Sequence, residues 1–196
     1  KLLTFCSNRF RDKSTSGHAL LHSQSSAVNP MNSTNHPQIQ PFSPFAPSAA
    51  YSASKGGSCF FNQTDNSELY VSDATDFDFG TGDYTIEMWA YPTKTSFNNS
   101  WSMAINTTGV NQYWAWTDGA GNANAAGLST SVSGGYSVDF ADIPEPFQWS
   151  HIVFQNTSGV ANWYLNGTRI YNTTHNENFS ASATGLHIGN SPHYTG

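Results

Sequence analysis

Between Tyr84 and Tyr91 apolar and polar positions alternate without a break. Tyr84, Ile86, Met88 and Ala90 fall on one face of an extended chain, and Thr85, Glu87, Trp89 and Tyr91 on the other. The pattern predicts a long strand with a dry face and an aromatic, partly polar opposite face. Pro92, which has no N–H to give a ladder, ends it. Ahead of the strand, Gly80 and Gly82 beside Asp78 and Asp83 predict a tight turn in which both glycines can take positive φ. A second landmark is the run 147–154, apolar on both faces and so expected to be buried between layers. A third is Asn166-Gly167 between the runs 162–165 and 168–171, the strongest short-range hairpin signal.

Further strands are predicted at 2–6, 18–22, 58–62, 68–71, 101–106, 112–117, 127–132, 136–140 and 185–189. Between 24 and 54 the composition shifts to Ser, Asn and Pro, with Pro30, Pro37, Pro41, Pro44 and Pro47. Such a segment cannot pair continuously, so it is expected to cross the surface as an extended connector, pinned by Phe42, Phe45 and Tyr51. No stretch sustains helical periodicity. Many short strands spaced by turn signals, with one long connector, predict an all-β sandwich of two antiparallel sheets. Its expected core is Tyr84, Ile86, Met88, Ile152, Phe154 and Leu165.

Composition narrows the function classes. Of the 196 residues 10% are charged and 14% aromatic, and the net charge is −6, which argues against a nucleic-acid partner because phosphate binding needs a basic stripe. No apolar run approaches membrane-spanning length. The chain begins at Lys1, so it is expected to be processed or part of something longer. Cys6 and Cys59 make no disulfide framework; two buried thiols and a single bridge both fit.

The landmarks taken together resemble one family. Ser58-Cys59-Phe60-Phe61 followed by Leu69-Tyr70-Val71 is similar to the opening of a laminin-G-like, concanavalin A-like jelly roll. The segment from Phe77 through Gly80, Gly82 and Tyr84 to Trp89 resembles that family's main motif. So do Trp149-Ser150-His151-Ile152-Val153, Trp163-Tyr164-Leu165-Asn166-Gly167 and Leu186-His187-Ile188-Gly189. The resemblance implies a jelly-roll sandwich over 57–196, with 1–56 supplying an N-terminal strand and a connector packed on it. In the family a further strand follows the glycine matching Gly196, so the sheet is expected to be completed by another segment or subunit. Leu2-Leu3-Thr4, Asn8-Arg9-Phe10-Arg11-Asp12 and the segment Gln40-Pro41-Phe42-Ser43-Pro44-Phe45-Ala46-Pro47 resemble the leader of such modules in structural proteins of marine bacteriophages. That second resemblance implies a non-catalytic virion module, in a tail fibre, appendage or capsid decoration. Its expected partners are other virion proteins or copies of itself, and host-surface glycans. A secreted carbohydrate-binding lectin module is the competing class, and a degenerate glycoside hydrolase a remote third.

Candidate chemistry is sparse. A glucanase needs paired carboxylates across a cleft, yet Glu87 stands alone on its strand. The seven histidines show no metal spacing, and no nucleophile elbow or phosphate loop is present. The chain is therefore expected not to be an enzyme and to need no cofactor. Asp65, Asp73 and Asp76 are hard oxygen donors suited to calcium, although Asp beside Gly is also the ordinary composition of turns. For carbohydrate, Trp114 and Trp116 fall on one face of a strand and Tyr113 on the other, with Asp118 and Asn122 in the Gly-rich loop that follows. Rings that stack on sugars beside polar side chains are what such a site requires. Against this, both tryptophans also suit filling between the sheets.

Overall fold

The computed structural model describes residues 15, 17, 21–22, 38–40, 57–61, 69–71, 79–93, 103–107, 110–116, 125–130, 136–139, 144–174 and 183–188. Every regular element among them is a strand: β1 (Leu21–His22), β2 (Gln38–Gln40), β3 (Ser58–Phe60), β4 (Leu69–Val71), β5 (Tyr84–Ala90), β6 (Met103–Thr107), β7 (Val110–Trp116), β8 (Ala125–Thr130), β9 (Tyr136–Asp139), β10 (Ser150–Thr157), β11 (Val160–Leu165), β12 (Thr168–Thr174) and β13 (Ala183–Ile188). They form a seven-stranded sheet ordered β1-β4-β13-β6-β7-β8-β9, a four-stranded sheet ordered β12-β11-β10-β5, and the pair β2-β3. All pairings are antiparallel. The predicted two-sheet antiparallel sandwich is therefore the architecture observed. The expected strand at 2–6 lies outside the described residues.

The alternation in β5 becomes a burial pattern. Thr85, Glu87 and Trp89 are exposed, whereas Tyr84, Ile86, Met88 and Ala90 are half-buried. In β10 the inward set Ser150, Ile152, Phe154 and Asn156 is buried. Register joins them across the sheet: Ile152 opposes Met88 and Leu165, and Phe154 opposes Ile86 and Trp163. Directly opposed residues share a face, so one apolar surface runs through three strands. The rings of Tyr84 and Trp163 lie 5.7 and 5.0 Å from that of Phe154. Ile152, Phe154, Ala161, Trp163, Leu69, Val71 and Pro144 are the buried apolar residues among those described. The predicted core is thus right in its face and corrected in depth. Ile152 and Phe154 are buried, while Tyr84, Ile86, Met88 and Leu165 are half-buried. For the three on β5 the cause is position, since β5 lies at one end of the described four-stranded sheet.

Turn chemistry sets these registers. Asn166 (φ 49°) and Gly167 (φ 84°) both adopt the left-handed conformation that a two-residue hairpin of this twist requires. Asn166 also closes the turn onto β10: its Oδ1 accepts from the His151 N–H at 2.9 Å, and its own N–H donates to the His151 carbonyl at 2.8 Å. Ser158 (φ 50°) and Gly159 (φ 75°) make a second hairpin of the same kind between β10 and β11, which extends β10 to Thr157. Asp83 Oδ1 accepts from the Ser158 N–H at 2.7 Å and ties that turn to the start of β5. Before β5, the Gly82 N–H donates to the Phe79 carbonyl at 3.1 Å, and Gly80 alone of the two expected glycines takes positive φ (55°).

One further expectation is corrected. Phe147 is not a buried strand residue: it is 59% exposed, at φ 60°, and β10 begins only at Ser150. Within the Pro-rich segment the described residues Gln38–Gln40, between Pro37 and Pro41, pair with β3, where every residue has an N–H; Phe42, Phe45 and Tyr51 lie outside the described residues.

Candidate functional site

The seven-stranded sheet sorts its residues into two unlike faces. Leu69, buried at 1%, opposes Ile188, which opposes Met103, then Trp114, Leu128 and Tyr136 in turn. Val71, buried at 2%, heads a parallel row through Leu186, Ile105 and Gln112 to Thr130. Both rows share the face of the buried Leu69 and Val71, which is the core face. Trp114 stands in the first row, and Trp116, two residues further along β7, lies on the same face opposite Ala126. The register therefore places both tryptophans on the core side of the sheet, as filling between the layers would require.

The opposite face is of another kind. Its central row runs Tyr70, His187, Ala104, Tyr113, Ser129. Beside it lie Gly185, Asn106 and Asn111 on one flank, and Ala115, Gly127 and Ser137 on the other. Aromatic and hydrogen-bonding positions thus alternate with very small ones. Tyr70 and Tyr113 are three strand spacings apart, about 14 Å. Of the residues expected to contact carbohydrate, Tyr113 belongs to this row. Asp118 and Asn122, like the candidate calcium ligands Asp65, Asp73 and Asp76, lie outside the described residues. Among the described residues no group of three or more His, Cys, Asp or Glu could hold a metal ion.

Sequence alone does not single out Tyr70 for this face, and it reads His187 as a core or interface residue within its strand. The signal existed, since each is the single polar or aromatic residue between two aliphatic ones, in Leu69-Tyr70-Val71 and Leu186-His187-Ile188. Only the pairing of β4, β13, β6 and β7 brings them into line with Tyr113.

The outer face of the four-stranded sheet carries a second cluster. Trp89, 44% exposed, opposes His151, and their rings stack at 4.9 Å with 23° between planes. Glu87 Oε2 lies 3.6 Å from His151 Nε2, an ion pair only when the imidazole is protonated. Next to this, Tyr91 and Trp149 meet edge to face at 5.4 Å, and the Phe147 N–H donates to the Pro92 carbonyl at 2.8 Å. Phe147 thereby holds an exposed ring beyond the end of the sheet, in a conformation costly for a bulky side chain. Glu87 has no carboxylate beside it among the described strand residues; Thr85 and Trp89 flank it on its face.

Cys59, on β3, is a half-buried free thiol, and burial pushes its pKa from 9.0 up to about 12. Such a thiol is a poor nucleophile. Cys6 lies outside the described residues.

Domain 4 of an extracellular GH43 arabinanase from Geobacillus stearothermophilus, solved with arabinotriose, superposes with a TM-score of 0.57 at 16% identity, over 79% of this chain and 73% of that one. A point mutant of HCR/D gives 0.52 at 12% identity, over 93% of this chain and 41% of the other. A galectin from Caenorhabditis elegans gives 0.41 at 14%, over 67% and 87%. For the arabinanase domain and HCR/D the likeness, at such identities, is one of fold. No curated protein matches the chain. Residues 62–196, well over half the sequence, match the family profile described as the concanavalin A-like lectin/glucanases superfamily. That match, which spans β5, β10, β11 and β13, makes this chain a member of the laminin-G-like branch of the concanavalin A-like lectin/glucanase superfamily.

Proposed function

We propose that this jelly roll is a non-catalytic recognition module of a virion structural protein, and that the face of its seven-stranded sheet opposite the core binds glycan. The observation that carries the reading is the row Tyr70, His187, Ala104, Tyr113, Ser129. Tyrosine rings present stacking surfaces with a polar tip, and His, Ser and Asn supply hydrogen bonds to hydroxyls. Small residues between them leave room for a sugar ring to approach the backbone. The arabinotriose bound to domain 4 of the arabinanase lends support by analogy of fold alone. Non-catalytic action is favoured by the isolation of Glu87, because glycoside hydrolysis needs two carboxylates on opposite sides of the bond. The virion setting is supported by the leader motifs around Phe10 and Phe42. The exposed Trp89 and Phe147 suit a contact with another virion protein or a second copy, since exposed aromatics are enriched where proteins meet. A secreted lectin would use the same sheet face and lack that contact.

A glycan array probed with the intact chain, with and without chelator, tests the reading alongside Tyr113→Ala and Tyr70→Ala. Both variants should lose binding while unfolding at nearly the parental midpoint. Trp114→Ala and Trp116→Ala should instead lower the unfolding midpoint, the outcome their register on the core face predicts. Loss of glycan binding in folded Trp114→Ala or Trp116→Ala, with Tyr113→Ala unaffected, would overturn the assignment of faces.

A further inference from the structure

Resting on the reading that the exposed face of the four-stranded sheet makes a protein contact, we propose that its partner is a second copy of this chain, packed face to face about a two-fold axis. The observation is one row across that sheet. Glu87 on β5 opposes Val153 on β10, Val153 opposes Tyr164 on β11, and Tyr164 opposes Arg169 on β12. The two end residues are exposed and the two middle ones half-buried. A carboxylate 68% exposed therefore stands at one end and an exposed guanidinium at the other, with an aliphatic and an aromatic side chain between. The ends are three strand spacings apart, about 14 Å. Within its own sheet Glu87 has His151 Nε2 at 3.6 Å.

Such a row is complementary to itself. Take a half turn about a line that lies in the contact and runs along the strands, midway between β10 and β11. It sets β5 over β12 of the second copy, and β10 over β11. Glu87 then faces Arg169 of the second copy, Val153 faces its Tyr164, and each contact occurs twice by symmetry. Sheets stacked in this way lie about 10 Å apart with strands crossed by about 30°, a gap that a glutamate and an arginine bridge together. One level along the strands, about 7 Å on, the same half turn sets Trp89 over the hairpin Asn166-Gly167. Trp89 opposes His151, and Asn166 is bonded to the His151 N–H and carbonyl, so the three share that level. The space beside Gly167 is open, since a Cβ there meets nothing within 4 Å. An indole 44% exposed thus meets a turn residue with no side chain. Trp and Arg are favoured where proteins meet, and opposed charges fix the register of a contact and exclude others. Four strands make a small interface, but copies repeated in a virion meet at high local concentration, where a small one suffices.

Sedimentation equilibrium of the intact chain tests this, over concentrations up to about 1 mM, where weak contacts populate. Salt is held at about 0.15 M, so that a Debye length of about 8 Å screens the general repulsion between two chains of charge −6. The samples are the parent, Glu87→Arg, Arg169→Glu, these two variants mixed in equal amounts, and Trp89→Ala, each shown to be folded by its urea midpoint. The parent should dimerise. Either charge variant alone should associate at least about tenfold more weakly, because two attractions become two repulsions. Their equal mixture should return to within about threefold of the parent, since opposite charges meet again at both contacts. Trp89→Ala should weaken association as well. A parent that stays monomeric overturns the inference and leaves the face to a different virion protein. Association that Trp89→Ala weakens, but that the charge variants do not alter or the mixture does not rescue, also overturns the two-fold pairing while keeping the face as a contact. Association indifferent to Trp89→Ala and to both charge variants shows the copies meeting elsewhere, and the reading of this face as a contact falls with the inference.

Discussion

Replacing Phe154 by alanine tests the central packing directly. The side chain is 1% exposed, lies between Ile86 and Trp163 across the ladder, and touches the rings of Tyr84 and Trp163. Truncating a buried phenylalanine costs about 3–5 kcal/mol, the sum of lost transfer energy and the cavity left behind. The two ring contacts put this site in the upper part of the range, because aromatic pairs contribute about 0.5–1.5 kcal/mol beyond area burial. In a domain of this size each kcal/mol moves the thermal midpoint by about 2–4 °C, so a drop of about 8–16 °C is expected. Val153→Ala is the control. It sits next in sequence on the other face, half-buried between Glu87 and Tyr164, and removes too little apolar area to cost more than about 1 kcal/mol. Urea unfolding followed by tryptophan fluorescence reads both. If Val153→Ala proves as damaging as Phe154→Ala, the strand is slipped by one residue and every face assigned from it is reversed.

Met88→Ala should cost about 1–2 kcal/mol, below the range for a fully buried methionine, because Met88 is half-buried; a chemical-denaturation midpoint measures it. Gly167→Ala should lose about 1–2 kcal/mol from its positive φ alone, since a Cβ there meets nothing within 4 Å; an unchanged midpoint would show that the turn relaxes. Glu87→Gln should shift stability by less than about 0.5 kcal/mol at neutral pH, because the carboxylate is 68% exposed. Cys59 keeps its proton in the folded state to about 12 but loses it near 9.0 when unfolded. Its contribution is therefore complete below about pH 9 and is withdrawn as pH rises from there toward 12, which pH-dependent denaturation of Cys59→Ser and parent would resolve. Alkylation of the Cys59 peptide at pH 8, read by mass spectrometry, should be slow until the chain is unfolded.

Much of the sheet framework was legible because its causes are local. Strict alternation fixed β5, and Asn166-Gly167 fixed the β11–β12 hairpin, whose φ values are those the pair demands. The Ser158-Gly159 hairpin was overlooked because serine seldom takes positive φ; its turn is held from outside by Asp83, 75 residues away in sequence. Phe147 misled for a related reason. Hydrophobicity predicted burial, but the hydrogen bond to the Pro92 carbonyl turns the chain before β10 begins. The site was the least legible part. Trp114 and Trp116 drew attention by chemistry, whereas their face is decided by Leu69 and Val71 on a strand far back in the chain. Tyr70, His187 and Tyr113 align only through that same long-range pairing.

The position of β13 bears on how the protein is made. It is the last of the described strands in sequence yet an interior one in its sheet, set between β4 and β6. Its pairing Leu186 with Val71 joins residues more than a hundred positions apart, a contact that forms slowly because so much chain must first be brought together. The β10–β11–β12 meander, joined by two-residue turns, can assemble at once as it leaves the ribosome. Until residue 188 has emerged, β4 and β6 each lack a neighbour on one side, and their open edges can recruit the wrong strand. A nascent chain whose emerged part ends between 175 and 182 should therefore be protease-resistant over β10–β12 and susceptible across β6–β9.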